Sequence, residues 1–272
     1  MLVTLTMSRP LQLVPLLVTA AALAACDRQQ KAPPANETMA TEAERDVDEA
    51  PALPSVEQPL NRRDLLLAAA EAASNHALGT DDSTDQQKLD GQPFSFRMRL
   101  CEGAANVTRS FDADSQVLRI MVRPDLTQAA LPLQPGGKVP QVEAAEGFWV
   151  PQPWLLRAGC PQLARTQAPL ARGEAEAGRT IGLAQFFTSD EARSSRRETR
   201  PYQVTRELPT EQAAGPVDLV LNGRLRQQGT GKVILCSAQD GNPRPACIIS
   251  VTLDRVRLEL AGGELLGEWS QG

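Results

Sequence analysis

The segment that most constrains the fold runs from Cys247 to Leu260. Cys247, Ile249, Val251 and Leu253 are apolar at every second position, and Val256, Leu258 and Leu260 continue the alternation on the opposite parity. A period of two belongs to a strand, whose successive side chains point to opposite faces. The change of parity is met by one extra residue near Asp254, as a β-bulge supplies, or by a strand that passes from one packing environment to another. Similar alternation marks Phe94, Phe96, Met98 and Leu100. Val107–Phe111 and Val117–Val122 read as a hairpin across the polar turn Asp112–Ser115, with Pro124 ending it. Ile181–Phe187, Val217–Leu221 and Lys232–Cys236 complete the strand-like runs. Residues 125–146, with three prolines and Gly136-Gly137, read as a long loop, and residues 161–179 as irregular.

One helix precedes the strands. Asn61 is placed to cap it, Asp64 stands three residues on, and Leu65-Leu-Leu-Ala-Ala-Ala are strong helix formers. Gly79 sits where the chain would leave the helix. Leu66, Leu67, Ala70 and Ala73 or Ala77 are the expected apolar face. The fold class is therefore mainly β (α+β), an antiparallel sheet or sandwich with one N-terminal helix. Aromatics make up only 4% of the chain, so its core must be built from Leu, Val, Ile and Ala.

Met7-Ser-Arg9 leads into a short apolar run from Leu11 that ends in Leu23-Ala24-Ala25-Cys26. One positive charge, an apolar stretch and small residues are the layout of an export signal. The run is too short and too interrupted to span a bilayer. Residues 1–6 carry no charge, and translation is expected to start at Met7 rather than Met1. Leu23-Ala24-Ala25-Cys26 resembles the lipobox of bacterial lipoproteins; the resemblance covers this segment alone. It implies cleavage before Cys26, a signal peptide over 1–25, and a diacylglyceryl thioether on Cys26, with further acylation such as palmitate on the new amine. The other reading is an ordinary cleaved signal that leaves a free thiol. Asp27 resembles a retention signal for the inner membrane in enterobacterial lipoproteins, so inner or outer membrane stays open. Residues 26–59 are rich in Pro and acidic residues and nearly free of bulky apolar ones, which implies a disordered, lipid-anchored tether. Residues 60–272 then form a single β-rich domain.

An exported chain meets an oxidising compartment, so the remaining Cys101, Cys160, Cys236 and Cys247 read as two disulfides. Ser237–Pro245 is dense in turn residues, which favours Cys236–Cys247, and Cys101–Cys160 follows by elimination. Cys/His clustering is absent from the sequence, and neither a metal nor a cofactor is expected.

Chemical motifs are scarce. His76 is the only histidine, which excludes HExxH; a Ser-His-Asp triad would have to use it, and the chain has no G-x-S-x-G. It sits at the end of the helix, where a histidine complements the C-terminus. Gly229-Thr-Gly-Lys232 lacks the earlier glycine and the following Ser or Thr of a phosphate loop. The chain carries −5 formal charge, one unit more negative without Arg9, which gives no basis for nucleic-acid binding. Two sites stand out. Trp149 and Trp154 flank prolines and suit either core packing, the expected role, or ligand stacking. Arg193, Arg196 and Arg197 suit either a solvated loop or an anion site. The expectation is a membrane-anchored, periplasm-facing lipoprotein, a binding or interaction module of the cell envelope with an envelope protein as possible partner. The alternative is a carboxylate-dependent, glycosidase-like enzyme, which needs two carboxyls roughly 5–9.5 Å apart in one pocket.

Overall fold

A computed structural model describes residues 58–80, 82–101, 103–127, 142–160, 179–188, 200–229, 231–239 and 242–270. The tether up to residue 57 and Arg193, Arg196 and Arg197 lie outside them. The elements are β1 (Leu60–Asn61), α1 (Arg62–Leu78), α2 (Ser83–Gln87), β2 (Pro93–Leu100), β3 (Val107–Asp112), β4 (Val117–Val122), β5 (Leu126–Thr127), β6 (Val142–Trp149), β7 (Ile181–Thr188), β8 (Tyr202–Glu207), α3 (Thr210–Ala213), β9 (Val217–Leu225), β10 (Ile234–Gln239), β11 (Asn242–Leu260) and β12 (Leu265–Ser270). The fold is mainly β, with one substantial helix before the strands. No helix among the described residues is long and apolar enough to cross a membrane.

The strand β11 organises a nine-stranded mixed sheet. Its first half lies between β10, antiparallel, and β7, parallel; its second half lies between β9 and β12, both antiparallel. The path across the sheet is β1-β2-β9-β11-β7-β6-β5, and β3-β4-β8 form a separate antiparallel sheet. The parity change is a bulge: Leu253 pairs with Gly223 and Arg255 with Asn222, leaving Asp254 without a partner in the ladder. Val251, Leu253, Val256, Leu258 and Leu260 thus face one core despite their broken alternation. Gly223 is required there, because a Cβ would collide with the Thr252 carbonyl oxygen across the pair.

That core lies where one face of the large sheet meets α1 and the three-stranded sheet. Phe94, Phe96 and Met98 from β2 join Leu118, Ile120 and Val122 from β4 and Tyr202 and Val204 from β8. Tyr202 sits edge-on to Trp269, 5.2 Å between ring centroids, and 6.0 Å from Phe148. The opposite face of the sheet carries a second apolar cluster with Leu126, Trp149, Phe186 and Ile248. Farther along that face, Asp218 and Glu259 are buried among arginines.

The helix starts and stops where the sequence places it. Asn61 Oδ1 accepts from the Arg63 and Asp64 amides, the Asn61 amide donates to Asp64, and Gly79 ends the helix at φ 69°. Its buried face differs from the expected one. Leu65, Leu66, Ala69 and Ala72 are buried, whereas Leu67 and Ala70 are exposed. Residues 142–146, expected in a loop, form part of β6, and two strand pairs of the large sheet are parallel rather than antiparallel.

Both disulfides take the expected pairing. Cys236 and Cys247 are directly opposed on β10 and β11, 4.0 Å between Cα atoms, and Cys101–Cys160 ties the end of β2 to the chain beyond β6. Replacing Cys236 and Cys247 together by Ser should lower the unfolding free energy by about 3 kcal/mol, from the chain entropy of so short a loop. Denaturant titration of oxidised protein measures it; an unchanged midpoint would show the link to be idle.

Candidate functional site

The open end of the core, between the end of β2, the hairpin β3–β4 and the chain leaving β6, is a cleft of about 730 Å³. Its position follows from alternation: strands that bury Met98, Val122 and Phe148 toward the core leave Arg99, Arg123 and Trp149 around the opening. The floor is apolar, with Leu100, Val107, Val150 and Leu219 also contributing. Volume and character match those of small-molecule sites, which pair an apolar lining with a few placed polar groups.

Arg62 shapes one wall. It stands at the first turn of α1, 6% exposed, with its guanidinium 5.2 Å from the centre of the Phe96 ring. Nε donates to the Leu155 carbonyl at 3.0 Å, Nη2 to those of Pro151 and Gln152, and Nη1 to that of Arg97. Burial lowers its pKa to about 10, so it remains a cation at neutral pH. Four carbonyl dipoles and an aromatic face stand in for a carboxylate partner. One guanidinium thus holds the loop 151–155 against the sheet. Nothing in the sequence distinguishes Arg62 from Arg63 beside it; its role comes from packing.

The loop it holds carries the unusual residues. Gln152 adopts φ 43°, in the left-handed region that non-glycine residues rarely enter, and its Oε1 is buried with no donor. Trp154 is 66% exposed at the rim of the cleft, while Trp149 is 8% exposed and its indole N–H meets no acceptor. The two tryptophans therefore separate: Trp149 packs in the second apolar cluster, as a core residue would, and Trp154 does not.

The cleft has one acidic residue among its described lining, Asp125, which sequence reading missed because it falls in the segment taken as loop. Its Oδ1 accepts the Trp149 backbone N–H at 3.0 Å, extending the β5–β6 ladder by a side chain. Burial raises its pKa, opposed by that hydrogen bond and by the charge of Arg179. Arg99, by contrast, is bound to Asp218 through Nε and Nη2. Arg123 and Arg179 make no ion pair among the described residues.

A second charged group lies on the sheet face. Asp218 and Glu259 are opposed across β9 and β11, and Arg97 bridges them, at 3.0 and 2.7 Å; Arg257 also reaches Glu259, at 3.0 Å. These two carboxyls are neighbours, but both are engaged by guanidiniums and neither lines the cleft. Asp125 has no second carboxyl beside it among the described lining, so the pair that the glycosidase-like alternative needs is not found in this cleft. Lys232, from the phosphate-loop-like stretch, is 2.6 Å from Asp82. His76 lies in the last turn of α1. No cluster of metal-ligating side chains occurs among the described residues. Compared with known proteins, the chain matches no protein-family model, no curated protein and no solved structure.

Two outcomes follow. Arg62→Met should cost about 2–4 kcal/mol, because four carbonyls lose a charged donor in a buried setting; a loss under 0.5 kcal/mol in denaturant unfolding would contradict this role. Asp125→Asn retains an acceptor for the Trp149 amide but removes the ionisation. Since the folded pKa lies above the unfolded one, ionising Asp125 costs stability, fully above the folded pKa and not at all below the unfolded value of about 3.9. The variant should therefore melt higher than wild type at neutral pH, with a gap that closes as the pH falls toward that value. A gap independent of pH would refute the burial argument.

Proposed function

We propose that this protein is a lipid-anchored, periplasm-facing binding module of the bacterial cell envelope, held to a membrane through Cys26 and presenting the cleft behind Trp154 to its ligand. The observation that carries the binding reading is the exposed indole at the rim of an apolar, partly basic cleft, in a chain poor in aromatics. Large apolar groups left at a concave, mixed-polarity opening mark interaction sites more often than scattered surface residues do. A two-chain lipid anchor gives stable attachment, since each buried CH₂ contributes about 0.8 kcal/mol. The acidic segment after Cys26 then serves as a spacer that carries the domain clear of the membrane.

Expressed in a bacterial host, the wild-type chain should incorporate labelled palmitate and sediment with membranes, whereas Cys26→Ser should do neither. A soluble wild-type protein, or label on the variant, would remove the anchor. For the cleft, iodide should quench the Trp154 emission, and Trp154→Phe should remove most of the quenchable fraction, since Trp149 is buried and Trp269 partly so. Low-molecular-weight envelope extract should protect that indole; failure at any dilution of the extract would count against a ligand site there.

A further inference from the structure

The binding reading leaves the kind of ligand open, and the polar groups around the cleft narrow it. Arg123 and Arg179 both line the opening, neither in an ion pair among the described residues. They outnumber the one carboxyl in the described lining, Asp125, whose ionised form burial disfavours, with the charge of Arg179 acting against that shift. The lining thus favours an anion. Two further groups lack partners: the buried Trp149 indole N–H has no acceptor, and the buried Gln152 Oε1 has no donor. An unsatisfied buried polar group costs about 1–3 kcal/mol, so each calls for an explanation. Gln152 is also held in a strained left-handed conformation by the Arg62 hydrogen bond to its carbonyl. Trp149 and Gln152 both line the cleft, with Trp154 at its rim.

A ligand that answers the two arginines, the Gln152 oxygen and the apolar floor has an anionic end, an N–H donor close to it, and an apolar group beyond. Phosphate or a simple sugar lacks the apolar part. A fatty acid lacks the N–H. The last residue of a peptide has all three: a carboxylate, its own amide N–H two bonds from the carboxyl carbon, and a side chain. Capture of terminal carboxylates by arginines and oriented N–H groups is an established mode of peptide recognition.

Resting on the binding-module reading above, we propose that the cleft captures the free C-terminus of a peptide with an apolar last residue. Arg123 and Arg179 take the carboxylate, Gln152 Oε1 accepts the terminal amide N–H, and the side chain enters the space floored by Met98, Val122 and Phe148.

The test uses the full chain and three probes in calorimetric or fluorescence titration: acetyl-Ala-Phe with a free carboxylate, the same peptide as its C-terminal amide, and 3-phenylpropionate. The free acid should bind at least tenfold more tightly than the amide, and about fivefold more tightly than phenylpropionate, which has the charge but no N–H. Arg179→Gln and Arg123→Gln should each weaken the acid five- to tenfold and leave the amide unchanged. Both residues are outside the apolar core, and a melting curve of each variant checks that it folds. Equal binding of acid and amide would overturn carboxylate capture while leaving a binding module in place. Acid binding unaffected by either arginine change would place the site elsewhere and overturn the proposal. If none of the three probes binds at millimolar concentration, capture of peptide termini fails, while protection of Trp154 by envelope extract would still stand as separate support for the module.

Discussion

No strand of the described domain has more partners than β11. A strand of nineteen residues has two edges, and here four partners share them in sequence: β10 and β7 along its first half, β9 and β12 along its second. The single bulge at Asp254 reconciles the halves. Because side chains alternate with a period of two, a strand without that extra residue would turn Val256, Leu258 and Leu260 out of the core or Val251 and Leu253 out of it. The Cys236–Cys247 bridge joins β11 to β10 in the same register, so the covalent link and the hydrogen-bond ladder specify one pairing.

From that frame the cleft follows as a mismatch of layers. The large sheet is wider than the three-stranded sheet and helix that cover it, and where the cover stops the apolar interior opens. Arg62 closes part of that gap with a cation rather than a side chain of matching shape. A buried charge is costly unless its donors are engaged, and four carbonyls plus the Phe96 ring meet most of that demand. The consequence reaches the rim: the same hydrogen bonds fix the loop that sets Gln152 in its strained conformation and leaves Trp154 in solvent.

How much of this is legible in the sequence depends on the contrast between polar and apolar positions. The capped start of α1, its glycine stop, the β3–β4 hairpin and the bulge all rest on local chemistry, and each is found where the pattern puts it. The buried face of α1 is not, because a run of leucines and alanines is apolar all round and its tertiary neighbours choose the side. Strand β6 is hidden for a related reason: Glu143-Ala-Ala-Glu-Gly has no alternation, since Ala144, Ala145 and Gly147 are buried on both faces of a sheet interior. Gly147 in particular is small because a Cβ would strike the Leu183 carbonyl oxygen of the adjacent strand.

The sequence by itself determined the strand-rich class and the helix limits and favoured the Cys236–Cys247 pairing, because each depends on neighbours within a few residues or on a period the chain carries in plain view; Cys101–Cys160, 59 residues apart, followed only by elimination, and the bulge stood as one of two readings of the broken alternation. Only the tertiary structure decided that Arg62 is buried while Arg63 is exposed, that Trp149 and Trp154 part company, and that Asp125, Arg123 and Arg179 gather at one opening. Those residues are up to 117 positions apart (Arg62 to Arg179), and no local rule relates them. What joins them is the end of a core reached by strands from three parts of the chain, which exists only once the sheets have closed on each other.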